Sequence, residues 1–260
     1  MTLLQEFLAL LSGGIVGFSL GLIGGGGSIL AVPLLLYLVG MPDPHLVIGT
    51  TAVAVAFNAA TGVIAHARRG NVRWATAAIF SAFGIVGAAV GSTIGKQFDG
   101  QRLLVLFALL MIVIALLVLR RRDEDATSHE VLDWRGGTKL GGVGLAVGAL
   151  AGFFGIGGGF LIVPGLVLAT GMPMIAAIGT SLVSVTSFGL TTAANYALSG
   201  LVMWKVAALF VIGGLGGGMA GSGLSHRLSV SRHALTRVFS GVIIVVALYM
   251  LARSTGFLGG

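Results

Sequence analysis

Gly21-Leu-Ile-Gly24-Gly25-Gly26-Gly27-Ser28-Ile-Leu-Ala-Val-Pro33 recurs 131 positions later as Gly152-Phe-Phe-Gly155-Ile-Gly157-Gly158-Gly159-Phe-Leu-Ile-Val-Pro164. The match extends outward, slipping to an offset of 130 after one deletion. Gly40-Met41-Pro42 pairs with Gly171-Met172-Pro173, and Ile48-Gly49-Thr50-Thr51 with Ile178-Gly179-Thr180-Ser181. Gly70, Trp74, Gly84, Gly87, Gly91 and Ser92 pair with Gly200, Trp204, Gly214, Gly217, Gly221 and Ser222. Chance does not keep glycines, prolines and a tryptophan in step over such a span. The chain is an internal duplication, an architecture typical of secondary transporters.

Composition sets the solvent. Of 260 residues, 56% are hydrophobic and 9% charged, against about 25% charged in soluble domains. Mean hydropathy is +1.05. So few charges cannot make a water-soluble surface, and long apolar runs point to lipid. The eight acidic residues, Glu6, Asp43, Asp99, Asp123, Glu124, Asp125, Glu130 and Asp133, all fall at segment ends or in connections. The net charge of +7 therefore belongs to loops, where basic residues set topology, and not to a nucleic-acid surface. Cysteine is absent, which removes disulfides, thiolate metal sites and thiol nucleophiles. The first apolar run opens with Glu6 and has no Ala-x-Ala site, so it reads as a membrane segment and not a cleaved leader.

Each unit contains five apolar segments. In the first they run Leu3–Ile23, Ile29–Val39, Leu46–His66, Trp74–Gly95 and Leu103–Leu119. In the second they run Leu140–Phe154, Phe160–Thr170, Ile175–Leu198, Trp204–Leu224 and Ala234–Leu251. The expected fold is an all-α polytopic membrane protein with two homologous repeats, residues 1–119 and 140–260, joined by a charged linker at 120–139. Segments three and four reach the ~20 residues needed to span a bilayer. Segment two is too short to cross upright and reads as a half-helix or a steeply packed piece. If each unit crosses an odd number of times, the repeats are inverted. The fifteen Lys and Arg residues then divide eleven to four, with the linker on the richer side; even parity divides them ten to five. The positive-inside rule favours inversion and a cytoplasmic linker by that small margin.

Gly24, Gly25, Gly26, Gly27 and Ser28, and Gly155, Gly157, Gly158 and Gly159, each lie between two apolar segments. Glycine lets the backbone leave helical geometry. Unwound backbone at membrane depth is tolerated where protein buries it or where it lines a wet cavity. Its free N–H groups, with the positive end of a following half-helix, bind anions without a formal charge. Close packing is the competing role, and for these glycines the two weigh about evenly. No Gly-Lys-Ser/Thr follows, which argues against a nucleotide loop. Gly87, Gly91 and Gly95, with Gly217, Gly221 and Ser225, have the small-xxx-small spacing of close helix contact. Pro33 and Pro164 are expected to set bends.

Segment three of unit two carries Thr180, Ser184, Ser187, Thr191 and Asn195 on one helical face; its counterpart carries Thr51, Asn58 and Thr61. Polar side chains in a membrane face a cavity or another helix. Any single hydroxyl is explained by interhelical or back-bonding. Two matched stripes beside two glycine breaks instead suggest a binding site. The candidate substrate-binding set is Gly24, Gly25, Gly26, Gly27, Ser28, Thr50, Thr51, Asn58, Gly155, Gly157, Gly158, Gly159, Thr180, Ser181 and Ser184. Inverted repeats would let the two breaks meet at one midplane site. His66 and its equivalent Tyr196 read as interfacial or packing residues. No carboxylate lies mid-segment, so coupling through one is not expected.

These duplicated motifs resemble the TauE/SafE-type sulfite exporter family over about Leu8 to Leu251. The resemblance implies a bacterial-type inner-membrane permease for sulfur-containing anions such as sulfite, sulfoacetate or thiosulfate, often exported. It selects no single substrate, and import or another organic anion stays open. A membrane-embedded enzyme is disfavoured by the lack of an intramembrane Asp, Glu or Cys and of a metal-spaced His pair. A membrane scaffold would not need matched stripes and breaks. The expected partners are a small inorganic or organosulfur anion and the lipid bilayer, with a homo-oligomer open; no cofactor or metal is expected.

Overall fold

The computed structural model describes residues 2–120, 134–155, 159–227 and 232–254. Gly157, Gly158 and most of the predicted linker lie outside them. Helices α1 (Leu3–Ile23), α3 (Pro44–Arg68), α4 (Trp74–Gly95) and α5 (Gly100–Arg120) form unit one, and α6 (Trp134–Phe154), α7 (Gly159–Thr170), α8 (Met174–Leu198), α9 (Trp204–Arg227) and α10 (Arg232–Ser254) form unit two. Between α1 and α3, segment two is an irregular rod. A 3-10 stretch at Gly24–Leu30 leads into one α-turn, α2 (Ala31–Pro33), and a widened turn at Leu34–Leu38. The widening follows Pro33, which lacks the N–H needed to continue a regular ladder.

Local sequence explains the ends. Asp43 caps α3, its carboxylate accepting from the N–H groups of His45 (2.8 Å) and Leu46 (3.3 Å), with Pro44 in the first turn. α3 and α8 both stop before a glycine in the left-handed region, Gly70 (φ 70°) and Gly200 (φ 71°), as helix C-termini commonly do. α6 begins at Trp134, inside the stretch assigned to the linker. The helix runs through Gly136 and Gly137 despite their low helix propensity, and the Lys139 ammonium finds a terminal acceptor, the Leu168 carbonyl near the end of α7 (3.1 Å).

Six described helices are long and apolar enough to cross a membrane: α1, α3, α4, α6, α8 and α9. Shorter apolar helices lie at Gly27–Leu38, Gly100–Leu116, Gly159–Thr170 and Ile243–Arg253. On α4 the outer stripe Phe83, Val86, Val90 and Ile94 is exposed, while Gly84, Gly87, Gly91 and Gly95 are buried. The protein is thus an integral membrane protein whose polar backbone is satisfied inside its helices.

The two units interlock by exchange. α1 of unit one packs on α9 of unit two, and α6 packs on α4. Both pairs run parallel. A Cβ on Gly13 or Gly17 would strike the backbone of Phe210 or Gly214, at 2.1 Å each. In the equivalent pair, a Cβ on Gly144 or Gly148 would strike Phe80 (2.6 Å) or Gly84 (2.1 Å). α3 and α8 form the central pair, in which Gly189 faces Ala52 and Ala56 whereas Gly62 faces Leu182. These two equivalent helices therefore run in opposite directions. α5 and α10 pair with each other.

Gly17→Val and Gly148→Val should each destabilise the protein by more than the ~1–3 kcal/mol of ordinary overpacking, because backbone stands in the way. Gly142→Ala, which meets nothing within 4 Å, should be neutral. Thermal unfolding in detergent measures all three; an unchanged midpoint for the valine variants would contradict the helix contacts.

Candidate functional site: a cleft between the units

The Ile-Gly-Thr elements act as a reciprocal clasp. Thr180 Oγ1 accepts from the Arg73 N–H (3.0 Å), at the start of α4 in the other unit. Thr50 Oγ1 accepts from the Met203 N–H (3.0 Å), at the start of α9, and donates to the Leu46 carbonyl (2.6 Å). Gly49 and Gly179 admit the same loops: a Cβ would meet the Leu201 carbonyl oxygen at 2.0 Å or that of Asn71 at 2.5 Å. Thr51 and Ser181 donate back to the carbonyls of Ile48 (3.0 Å) and Ile178 (2.8 Å).

The stripe of unit two faces helix α4. Ser184 Oγ and Ser81 Oγ are 3.0 Å apart. Asn195 Nδ2 donates to Ser92 Oγ (2.7 Å) and Thr93 Oγ1 (2.9 Å). The Lys96 ammonium donates to Asn195 Oδ1 (2.6 Å), Ser199 Oγ (2.8 Å) and the Asn195 carbonyl (3.1 Å), and lies over the Tyr196 ring. Ser187 and Thr191 bond back along their own helix. This end of α4 and α8 is bolted shut, and its hydroxyls line neither of the two cavities described below.

The glycine breaks lie apart. A Cβ on Gly155 (φ 65°) would meet Ile48 Cγ2 at 1.8 Å, in the first turns of α3. Gly27 folds back on Ser19 and Leu20 near the end of α1, the part of α1 that accompanies the far half of α3. The breaks therefore mark opposite ends of α3 and do not meet at the midplane. Ser28 is fully buried, and the 3-10 stretch packs against α7 and α8. Gly159 begins α7 and is buried.

The stripe of unit one does line a space. A cleft of about 200 Å³ lies between α1, α3, α8 and α9, bounded by Gly17, Gly21, Asn58, Thr61, His66 and Gly214 among others. Asn58 sits near the middle of α3. It is 6% exposed, and neither its amide nitrogen nor its oxygen has a partner. His66 Nδ1, at the Arg68 end of α3, is also buried and unpartnered. Thr61 donates to the Asn58 backbone carbonyl (2.7 Å), leaving its oxygen able to accept. Among the described residues no Lys or Arg lines the cleft. A larger cavity, about 240 Å³, sits at the margin beside Tyr37, Gln101 and Arg253; its guanidinium is already engaged by Tyr249 Oη (2.9 Å) and the Tyr37 ring.

Of the candidate residues, the structure thus brings Asn58 into a cleft and assigns intramolecular partners to Thr50, Thr51, Thr180, Ser181 and Ser184. His66 and the glycines beside Asn58 were missed as site residues. A mismatch between the two halves could have flagged the place: Asn58 pairs in sequence with Phe188, a polar residue against an aromatic one.

Interlocked membrane helices around a cleft with a buried amide fit a membrane transporter, and the sequence comparisons show that class. A family model described as sulfite exporter TauE/SafE matches residues 9–250, and the chain belongs to that family. It is 53% identical to a probable membrane transporter protein of Xylella fastidiosa strain Temecula1, over 98% of each chain. It is 26% identical to the probable membrane transporter protein YunE of Bacillus subtilis, over 86% of this chain and 90% of that one. A probable membrane transporter protein of Methanocaldococcus jannaschii is 28% identical, over 67% and 68%. No solved structure matches it.

Thr180→Val removes the hydroxyl that accepts from the Arg73 N–H, and Thr50→Val the one that accepts from Met203, each costing ~1–3 kcal/mol. The serine variants should restore most of the loss. Thermal unfolding of the four variants checks this; equal stability of the valine and serine forms would remove the clasp.

Proposed function

We propose that the protein exports a small sulfur oxyanion, sulfite or a close relative, by alternating access of two inverted repeats, residues 1–119 and 140–260, around the cleft at Asn58. The observation that carries this reading is the unpartnered Asn58 amide, buried at mid-helix in a transporter of the sulfite exporter family. A buried amide without partners costs ~1–3 kcal/mol, and an oxyanion that accepts from it relieves that cost. The described lining offers neutral donors, which suit a singly charged anion, hydrogen sulfite in the case of sulfite. Desolvating a doubly charged one costs about four times as much, since Born energy rises with the square of the charge.

The opposite directions of α3 and α8 support inversion and an odd number of crossings in each unit. The cleft then lies in the half of the molecule that holds the Arg68–Arg69 loop, the linker and the start of α10, the side the positive-inside rule assigns to the cytoplasm. The bolted Lys96–Asn195 end faces outward. An anion loaded from the cytoplasm gains about 2.3 kcal/mol per charge per 100 mV on leaving a negative interior, so export needs no coupling ion.

Sulfite flux in proteoliposomes tests this, with sulfate, thiosulfate and sulfoacetate as competitors. An imposed potential should drive sulfite toward the positive compartment, and sulfate should compete poorly. Asn58→Leu should slow flux about tenfold or more, the loss of a hydrogen bond to a charged group worth about 1.5–3 kcal/mol. Flux indifferent to potential would remove uncoupled export; full flux in Asn58→Leu would move the site elsewhere.

A further inference from the structure

Exchanging the two units maps the cleft onto a second location. Gly214 becomes Gly84, Gly17 becomes Gly148, and Asn58 becomes Phe188. The helix approach there is as close: a Cβ on Gly17 would meet Gly214 at 2.1 Å and a Cβ on Gly148 would meet Gly84 at 2.1 Å. A Cβ on Gly214 would meet Asn58 Nδ2 at 1.9 Å, and a Cβ on Gly84 would meet Phe188 Cζ at 1.9 Å. The same glycine notch thus receives the tip of a short amide in one half and a phenyl ring in the other. Phe188 is fully buried and stacks on Phe80, with ring centroids 6.0 Å apart. Asn58 lines the cleft, whereas Phe188 lines neither described cavity. The polar end of the notch survives in one copy only.

We infer that the protein holds one anion per chain, selected by Asn58, and that Phe188 plugs the duplicate of that site. This rests on the transport reading above and names the specificity-determining residue within it. Two equivalent sites would be the default of a duplicated chain, and here one has been traded for packing. The amide nitrogen carries two N–H donors, buried beside the cleft against Gly214, and a small side-chain movement would offer them to an anion presenting acceptor oxygens. The stacked rings opposite offer no donor and reject it.

Equilibrium binding of radiolabelled sulfite to the purified full-length protein tests the inference. Wild type should saturate at one sulfite per chain. Asn58→Phe, which copies the native Phe188 arrangement, should lose binding at least tenfold. Asn58→Asp keeps the shape but replaces donors with a negative charge, and should lose binding whether or not the phenylalanine variant folds. Phe188→Asn should raise the capacity above one. Wild-type saturation at two, or unchanged binding in Asn58→Asp, would overturn the single-site assignment and leave the transport reading standing. No sulfite binding in wild type, with proteoliposome flux also absent, would overturn the cargo itself.

Discussion

The structure depends on side chains that are absent. In lipid there is no hydrophobic force to press one apolar helix on another, so contact must come from close packing. α1 reaches α9, and α6 reaches α4, only because glycines at Gly13, Gly17, Gly144 and Gly148 let backbone touch backbone. Each contact joins one unit to the other. The glycines therefore do more than allow a fold within each repeat: neither repeat can complete its packing without its twin. The Cβ clashes recur at matched positions, so one geometric solution has been used twice.

Polar groups then divide into two kinds. The hydroxyls of Thr50 and Thr180 take up backbone N–H groups at the starts of α9 and α4, and Ser184 meets Ser81. Every such bond crosses between units. A satisfied buried network rigidifies, while an unsatisfied one is costly. Asn58 belongs to the second kind, with both amide atoms buried and unpaired. Ser12, His45, His66, Thr192 and Tyr196 also carry a buried unpartnered atom, but among these only Asn58 and His66 line the cleft.

Much of this was legible in the amino-acid order. The duplication, the five segments per unit, the short second segment and the small-xxx-small faces all follow from spacing and composition, which bear directly on helix length and contact. Asn58 was legible as one polar position on a helical face. What faces a helix was not. Periodicity put Thr180, Ser184 and Asn195 on one side of α8, but whether that side met water or α4 depends on tertiary packing. The glycine breaks misled for a related reason: the sequence shows that the chain turns there but not at what depth. Gly155 turns beside Ile48, near the end of α3.

A duplicated chain with matched packing would, if its halves were identical, have no preference between its two faces. Here the halves differ at many positions, and two of those differences act in the same sense. Ala65 stands where Asn195 stands in the other half, so the bond that lets Lys96 bolt α4 to α8 has no counterpart from α3. Asn58 stands where Phe188 stands, so that same half keeps the cleft. Two structural states related by exchange of the units differ in free energy through such substitutions, and a ligand shifts the balance only by its differential affinity for them. On the proposed reading, an anion at Asn58 supplies that difference. It satisfies an amide that the empty site leaves unpaired, while the Lys96 bonds it must eventually break lie at the opposite end of the bundle. The cost of opening one end and the gain from filling the other thus fall on separate residues, Lys96 and Asn58, and can be altered independently.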